Sequence, residues 1–196
     1  MKVSRQQAAE NRARIVTEAA RLFREKGLSG IGVDALTKAA GLTHGSLYSR
    51  FGSKEQLTAE ALAEALGRGA ASLYPPDAAT NPGAFATVIN RYLSTAHRDT
   101  PGTGCTLAAV GCEVARHGPA VRQVLTEGLR ASAGRLSAVL PDQDRPADEK
   151  TDEALAVLAS MVGALILARA VDDPDLSDRI LQTSRRRIIG TATKAH

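Results

Sequence analysis

A single glycine separates two short helical stretches in residues 33–54, and this segment constrains the fold more than any other. It reads VDALTKAAGLTHGSLYSRFGSK, with apolar residues at helical spacing on both sides of Gly41. Glycine adopts the positive φ of a tight turn at little steric cost. The segment therefore predicts a helix-turn-helix, two short helices crossing over a small shared core. The predicted core residues are Leu36, Leu42, Leu47 and Phe51.

The outer side of the second helix is predicted to be a DNA-facing surface. With the core residues turned inward, it exposes short polar and cationic groups, which suit contact with phosphates and base edges. Gly45 lets the backbone approach a sugar-phosphate chain closely, and the Tyr48 hydroxyl can reach a phosphate. Lys54 begins the next helix, where a helix N-terminus also favours a phosphate. The residues predicted to face DNA are Thr43, His44, Gly45, Ser46, Tyr48, Ser49, Arg50 and Lys54.

Positive charge is concentrated at the same end of the chain. Residues 1–60 contain 10 Lys and Arg against 6 Asp and Glu, whereas the remaining residues contain 15 of each. The whole net charge of +4 therefore belongs to the first third of the 196 residues. Such asymmetry indicates a polyanionic partner bound by one end of the molecule.

Helical spacing continues through the rest of the chain, and no segment has the pattern of a strand. A stretch rich in Pro, Asp and Asn over 75–83 separates about four helices from about five more. We predict an all-α chain of about nine helices, with one domain over 1–66 and a second over 67–196. The later helices are predicted over 84–98, 105–116, 119–140, 147–171 and 175–194.

Several other protein classes are not expected. The N-terminus is polar, and no uninterrupted apolar run approaches the roughly 18 residues of a membrane span. We therefore expect a cytoplasmic protein without a membrane segment. Two cysteines, Cys105 and Cys112, are too few for a disulfide framework, and histidines do not cluster. Neither a metal nor a cofactor is expected.

The helix-turn-helix segment resembles the TetR family of bacterial transcriptional regulators. AAGLTHGSLYSRFGSKEQL matches the recognition segment of that family, and LFREKG at 22–27 is similar to the end of its first helix. The resemblance covers roughly residues 10–60. One departure lies at Ile31 and Gly32, where the family usually has Thr or Ser as a cap. The matching elements are Ala40-Gly41-Leu42, Leu47-Tyr48, Phe51, Ser53-Lys54-Glu55 and Leu57.

The resemblance implies a three-helix DNA-binding head followed by a helical ligand-binding and dimerisation domain. Members of the family are homodimers, joined through the last two helices, that bind a palindromic operator in successive major grooves about 34–36 Å apart. Most are repressors that a small effector releases. Thr43 would cap the recognition helix. Further phosphate contacts would come from Arg5, Arg12 and Arg14.

The effector site is predicted from apolar positions that share helical faces in the second domain. Phe85 and Tyr92 are seven apart, with His97 close by. The few aromatic residues favour a small or aliphatic effector, neutral or weakly acidic, although the same positions also suit a plain core. The predicted cavity residues are Phe85, Tyr92, His97, Cys105, Leu107, Met161 and Leu165.

Three alternative functions and the environment of Arg169 stay open at this point. A non-specific architectural DNA-binder would bind any duplex weakly, with an affinity governed by salt. Cys105 follows a loop at a predicted helix N-terminus, a position that favours a reactive thiol, so a redox- or electrophile-sensing repressor is another alternative. An all-α enzyme is a remote one, because His97, Cys105, Glu113 and His117 show no order of nucleophile and base. Arg169, within the apolar stretch 154–170, either extends to solvent, pairs with an acid such as Glu113, or binds an anionic ligand.

Overall fold

The fold is all-α, as predicted. The computed structural model describes residues 5–39, 41, 44–74, 76–78 and 80–192, with the backbone alone at 5, 33, 44–46, 70–72 and 192. This part of the chain contains ten α-helices and one short 3-10 segment. They are α1 (Arg5–Lys26), α2 (Val33–Ala39), α3 (His44–Phe51), α4 (Lys54–Leu73), α5 (Ala84–Tyr92), α6 (Thr95–Asp99), the 3-10 segment Pro101–Thr103, α7 (Thr106–Val114), α8 (Pro119–Ser137), α9 (Ala147–Ala170) and α10 (Pro174–Ala192).

Helices α1 to α4 form the N-terminal head around a core of their own. Leu36, Leu47 and Phe51 are buried there together, as the helical spacing predicted, while Leu42 lies outside the described residues. Gly27 and Gly41 follow α1 and α2 with φ of 78° and 64°, a conformation that glycine adopts without strain. The two glycines therefore set the sharp turns that bring α1, α2 and α3 around one core.

Helix α4 joins the head to the rest of the molecule without a break. It runs from Lys54 to Leu73, so the domain boundary predicted at 66–67 falls inside it. Leu66 packs against both hydrophobic cores, that of the head and that of the C-terminal helices. The head core also includes Val110 and Val114 of α7, so the two units share packed side chains.

The helix predicted over 84–98 is divided in two. Leu93 has φ −92° and ψ 48°, outside the helical region, and α5 ends there. The Ser94 side chain then accepts a 3.2 Å hydrogen bond from the backbone N–H of His97 and caps α6. This division accounts for one helix beyond the nine predicted, and it turns His97 towards the interior.

Helix α9 lies between α8 and α10 and presents two different faces. Val157, Met161 and Leu165 are buried in the C-terminal core, whereas Leu155 and Leu167 are 38% and 58% exposed. By length and composition α9 is also apolar enough to cross a membrane, contrary to the expectation from the sequence. Core helices of soluble proteins pass the same test, so the more informative feature is the apolar face that α9 leaves outside.

Candidate nucleic-acid interface and internal cavity

Helix α3 presents the outer surface that the sequence predicted for DNA contact. Leu47 is fully buried, whereas its neighbours Tyr48 and Ser49 are exposed, Tyr48 by 49%. Arg50 is half-buried. His44, Gly45 and Ser46 belong to the first turn of this helix, and only their backbone is described; Thr43 lies outside the described residues. The described side chains therefore separate into an inner apolar face and an outer polar face.

Lys54 has a contact that the sequence did not suggest. Its Nζ donates a 2.8 Å hydrogen bond to the backbone carbonyl of Ile31, just before α2. Next to it, Ser53 caps α4 by accepting a hydrogen bond from the backbone N–H of Gln56. An ammonium group has three donors, and Ile31 uses one. Lys54 therefore holds the start of α4 against the start of α2.

Arg12 holds α1 against α3 and α4. Its guanidinium forms a bidentate ion pair with Glu60 on α4. It also lies over the Phe51 ring, 4.5 Å from the ring centroid. The hydrogen bond from Arg12 lowers the pKa of Glu60. Arg12 thus stabilises the packing of the head, where the sequence had suggested a phosphate contact.

A cavity of about 360 Å³ lies between α4 to α9. Five of the seven residues predicted to line it do so, whereas Phe85 and Leu165 lie in the surrounding core, 3% and 0% exposed. The lining residues are Ala65, Leu66, Gly69, Leu73, Tyr74, Arg91, Tyr92, Ser94, Ala96, His97, Thr100, Thr103, Gly104, Cys105, Thr106, Leu107, Ser132, Leu136, Leu158 and Met161.

Two parts of this wall were missed by sequence reasoning. The last turns of α4 contribute Leu66 and Leu73, followed by Tyr74, whose pKa burial raises to about 12. Helix α8 contributes Ser132 and Leu136. The apolar spacing of α4 continues past residue 66. That spacing is the signal from which the contribution of α4 to the cavity wall could have been predicted.

His97 is held in one uncharged form at the edge of the cavity. Its Nε2 lies 2.9 Å from the backbone nitrogen of Cys105, and its Nδ1 lies 2.6 Å from the Tyr92 carbonyl oxygen. Because the Cys105 N–H only donates, Nε2 accepts and Nδ1 carries the proton that it donates to Tyr92. Burial lowers the pKa of His97, which agrees with a neutral ring. Both nitrogens therefore bind backbone and neither points to the Cys105 thiol.

Arg169 has a different environment from those the sequence suggested. Its Nη2 and Nε donate hydrogen bonds of 2.7 and 3.0 Å to the carbonyl oxygens of His97 and Arg98. Burial lowers the pKa of this half-buried guanidinium. It neither extends into solvent nor pairs with Glu113. Arg169 instead fixes the α6 segment that carries His97 against α9.

Two contacts link the cavity side of the molecule to the head. Glu113, near the end of α7, accepts hydrogen bonds from the backbone N–H groups of Leu28 and Ser29, at 3.2 and 2.8 Å. Arg24 of α1 donates a 2.7 Å bond to the Gly102 carbonyl, in the segment that leads into α7. Helix α7 is thus bonded to the head at one end and forms part of the cavity wall at the other.

The residues considered for an enzyme are not assembled into a site. His97 and Cys105 are neighbours only through the backbone bond described above, while Glu113 is bonded to the head. Among the residues that the structure describes, no group of three or more His, Cys, Asp or Glu is placed to hold a metal ion.

The N-terminal segment matches known regulators. The family model for bacterial regulatory proteins of the tetR family matches residues 15–61, which contain α2 and α3. The HTH-type transcriptional regulator AcrR of Shigella flexneri is 39% identical over 57 residues. These are 29% of this chain and 26% of the relative, so the match spans about a quarter of that protein.

Solved structures match over almost the whole chain. A TetR-family transcriptional regulator from Cytophaga hutchinsonii is 25% identical, covers 97% of this chain and 98% of its own, and has a TM-score of 0.74. Two other structures show the same fold. One is a TetR transcriptional regulator from Chloroflexus aurantiacus, which is 23% identical, covers 96% of each chain and has a TM-score of 0.75. The other is the reduced form of Escherichia coli NemR. NemR is 21% identical, covers 91% of this chain and 95% of its own, and has a TM-score of 0.74.

The head, the family match and the full-length structural matches agree with one another. The matched residues 15–61 contain the buried Leu47 and Phe51 and the exposed Tyr48 of the helix-turn-helix. The C-terminal helices complete an architecture that these structures share from end to end. Residues 15–61 therefore match the DNA-binding helix-turn-helix segment of the tetR family of bacterial regulatory proteins, and the chain as a whole is similar in fold to solved TetR-family transcriptional regulators.

Proposed function

We propose that this regulator is a cytoplasmic homodimeric repressor that binds a palindromic operator and leaves it when a small effector occupies the cavity. The observation that carries the proposal is the pair Leu47 and Tyr48, fully buried and 49% exposed at adjacent positions. A short helix so anchored presents its opposite side to a major groove. The eight residues predicted to face DNA, Thr43 to Ser46, Tyr48 to Arg50 and Lys54, remain the proposed contacts.

The uneven charge supports DNA as the partner. The net charge of +4 belongs to residues 1–60, which include the whole of α1 to α3. Cations on this end attract the phosphate backbone, and the release of counterions then makes binding strongly dependent on salt. Arg50 and Lys54 lie at the ends of α3 and α4 that face each other across the turn.

The outer faces of α9 and α10 support a dimer. Leu155, Leu167 and Leu176 are 38%, 58% and 43% exposed, and all three belong to these last two helices. Along α9, exposed Ala156, Ala159 and Ser160 lie between the two leucines without any charge. Exposed apolar surface of this kind marks an interface, and small residues allow close helix approach.

The contacts of α7 support release by an effector. A ligand in the cavity touches the first turn of α7, and the last turn of the same helix is bonded to Leu28 and Ser29 of the head. In the proposed dimer, the two heads must be spaced to match the operator. An effector that binds more tightly to a conformation in which they do not match lowers the affinity for the operator by thermodynamic linkage.

Selection of binding sites from random DNA at physiological salt tests the proposal. We expect a single palindrome, bound at least roughly 10³-fold more tightly than unrelated duplex. A matched pair of variants gives the control: Tyr48→Asp places an acid on the outer face of α3, and Leu129→Asp places one at an exposed position of α8, outside both the head and the cavity. Only the first should abolish selection. Enrichment of no sequence, or equal loss in both variants, would contradict the proposal.

Cysteine-based sensing is the second candidate, because Cys105 is a free thiol on the cavity wall while Cys112 is a free thiol on the surface. In this alternative the Cys105 thiol gives its proton to solvent, and the resulting thiolate adds to the C=C bond of a Michael acceptor. A C–S bond forms as the C=C π bond breaks, and the adjacent carbon takes a proton from solvent. Operator release by N-ethylmaleimide tests it. Release in the parent protein and in Cys112→Ser, but not in Cys105→Ser, would support sensing; equal release in all three would exclude it.

A further inference from the structure

Two buried hydroxyl groups on the cavity wall lack hydrogen-bond partners. They are the Tyr92 hydroxyl and the Thr106 hydroxyl, in residues only 3% and 4% exposed. Among the residues that the structure describes, they are the buried side-chain oxygen or nitrogen atoms left without a partner. Both residues line the same cavity. Buried polar groups are nearly always paired, so each exception calls for an explanation.

The two hydroxyls belong to one wall. The Tyr92 ring packs edge-on against His97, with centroids 4.7 Å apart and an interplanar angle of 74°. His97 in turn accepts a hydrogen bond from the backbone N–H of Cys105, and Thr106 follows Cys105 in the chain. Burial, and then the neighbouring Cys105 thiol, raises the pKa of Tyr92 well above its ordinary value. A thiol is a weak acceptor and does not satisfy a phenol, so Tyr92 stays protonated and available as a donor.

The charges around the cavity limit what it accepts. The described lining residues include no Asp or Glu, and their one Lys or Arg is Arg91, an exposed residue that donates to the Leu73 carbonyl. A cationic ligand would therefore bury an unpaired charge, which is strongly unfavourable. The Arg169 guanidinium lies behind Gly104, with Nη2 3.1 Å from the position that a Cβ would take there. Its positive field favours an electron-rich oxygen at this end.

We infer, building on the proposed function, that the effector is a compact, uncharged and mainly apolar molecule with one carbonyl group, which the unpaired hydroxyls of Tyr92 and Thr106 recognise when these side chains shift towards the ligand. The apolar body of the ligand contacts Leu66, Leu136 and Met161. The volume of about 360 Å³ is at the small end of the roughly 300–1,000 Å³ of ligand pockets. The hydroxyls explain how such a site distinguishes a ketone from a hydrocarbon of equal shape.

The test measures binding of shape-matched probes to the full chain by calorimetry. One set has the bornane frame: camphor, bornane, bornylamine and bornane-2-carboxylate. The other is acyclic: 2-nonanone, nonane, nonylamine and nonanoate. We expect at least one ketone to bind with a Kd below about 1 mM and more tightly than its hydrocarbon, amine and carboxylate. Ketones that bind no better than hydrocarbons, or a carboxylate that binds best, would overturn the inference.

Variants assign the effect to the two hydroxyls. Tyr92→Phe and Thr106→Val should each weaken ketone binding by roughly three- to tenfold and leave hydrocarbon binding unchanged. Both should also raise the Tm of the unliganded protein, because they remove an unpaired buried hydroxyl. Tyr48→Phe is the matched control, since Tyr48 is exposed on α3 and lies outside the cavity. An equal loss in this control, or a lower Tm in both variants, would overturn the inference.

Operator binding by the same preparations keeps the two proposals apart. Ketone binding without specific operator binding would refute the proposed function and leave the ligand class standing. Specific operator binding without any ketone preference would refute the ligand class alone, and would assign the two hydroxyls to ordered water.

Discussion

The carboxylate of Glu113 accepts a 2.8 Å hydrogen bond from the backbone N–H of Ser29, 84 residues earlier in the chain. Ser29 follows the turn that ends α1, and Glu113 lies near the end of the helix that starts at the cavity. The bond therefore connects the helix that lines the cavity to the DNA-binding head through a single side chain.

Glu113→Gln should lower the free energy of unfolding by about 1 kcal/mol at pH 7. Burial alone would raise the pKa of Glu113, but the hydrogen bonds from Ser29 and Leu28 outweigh it and lower the pKa. A carboxyl whose pKa is lower in the folded state stabilises above its ordinary pKa of about 4.3, and this stabilisation is lost as the pH falls through the folded-state value. The difference between parent and variant should therefore shrink below about pH 4.

Urea unfolding across this pH range measures the difference. Glu127→Gln is the control, because Glu127 is an exposed α8 carboxylate bonded only to the Gln123 side chain. A Glu113→Gln difference that stays constant with pH, or that equals the control, would refute the assignment.

Gly27→Ala should destabilise more than Gly52→Ala. Both glycines have positive φ, 78° and 74°, and an L-residue in this region costs about 1–2 kcal/mol. A Cβ at Gly27 would lie 2.3 Å from Oε1 of Glu113, whereas one at Gly52 would meet nothing within 4 Å. The excess cost at Gly27 is therefore the displacement of Glu113. Chemical unfolding in the Glu113→Ala background, which removes the carboxylate, should abolish that excess, and its persistence there would contradict this explanation.

Lys54→Ala should lower the affinity for all DNA sequences by the same factor and reduce the salt dependence of operator binding. Each lost phosphate contact lowers the slope of log K against log salt by about 0.9. Lys150→Ala is the control, because the Lys150 ammonium also donates to a carbonyl, that of Gln143, but far from the head. Fluorescence anisotropy at several salt concentrations measures the slope. If the slope is unchanged and the Tm is lowered, Lys54 does not contact phosphate, and its role is the structural bond with Ile31.

Leu167→Lys should dissociate the proposed dimer and reduce operator affinity, since a charge would replace the most exposed of the large apolar side chains described. The control is Leu129→Lys on α8, where the leucine is 38% exposed but lies outside the two helices proposed as the interface. Sedimentation velocity at micromolar concentration separates monomer from dimer. If Leu167→Lys remains dimeric, or Leu129→Lys dissociates as well, the interface lies elsewhere.

The sequence predicted what depends on local spacing. The head was predictable because Leu36, Leu47 and Phe51 recur at helical intervals around Gly41, and the all-α class followed from the same periodicity. The break between α5 and α6 was missed because a single serine, Ser94, creates it by capping. A serine within a helical pattern does not by itself announce a cap.

What the sequence did not reveal are the contacts between distant residues. The partners of Arg169 are backbone carbonyls 71 and 72 residues away, and no pattern of charges points to them. The same holds for Glu113, whose partners are backbone N–H groups. The contribution of Leu73 and Tyr74 to the cavity was missed for another reason, because the cavity residues were predicted only from helices that follow the Pro-rich stretch 75–83.

The uninterrupted length of α4 has a mechanical consequence. It is 20 residues long, about 30 Å at 1.5 Å per residue, with Lys54 at one end and Leu73 beside the cavity at the other. A rigid rod of this length that tilts by about 5° about one end moves the other by roughly 3 Å. In the proposed dimer the displacements of the two heads would add, so a small swelling of the cavity would become a mismatch with the fixed helical pitch of DNA.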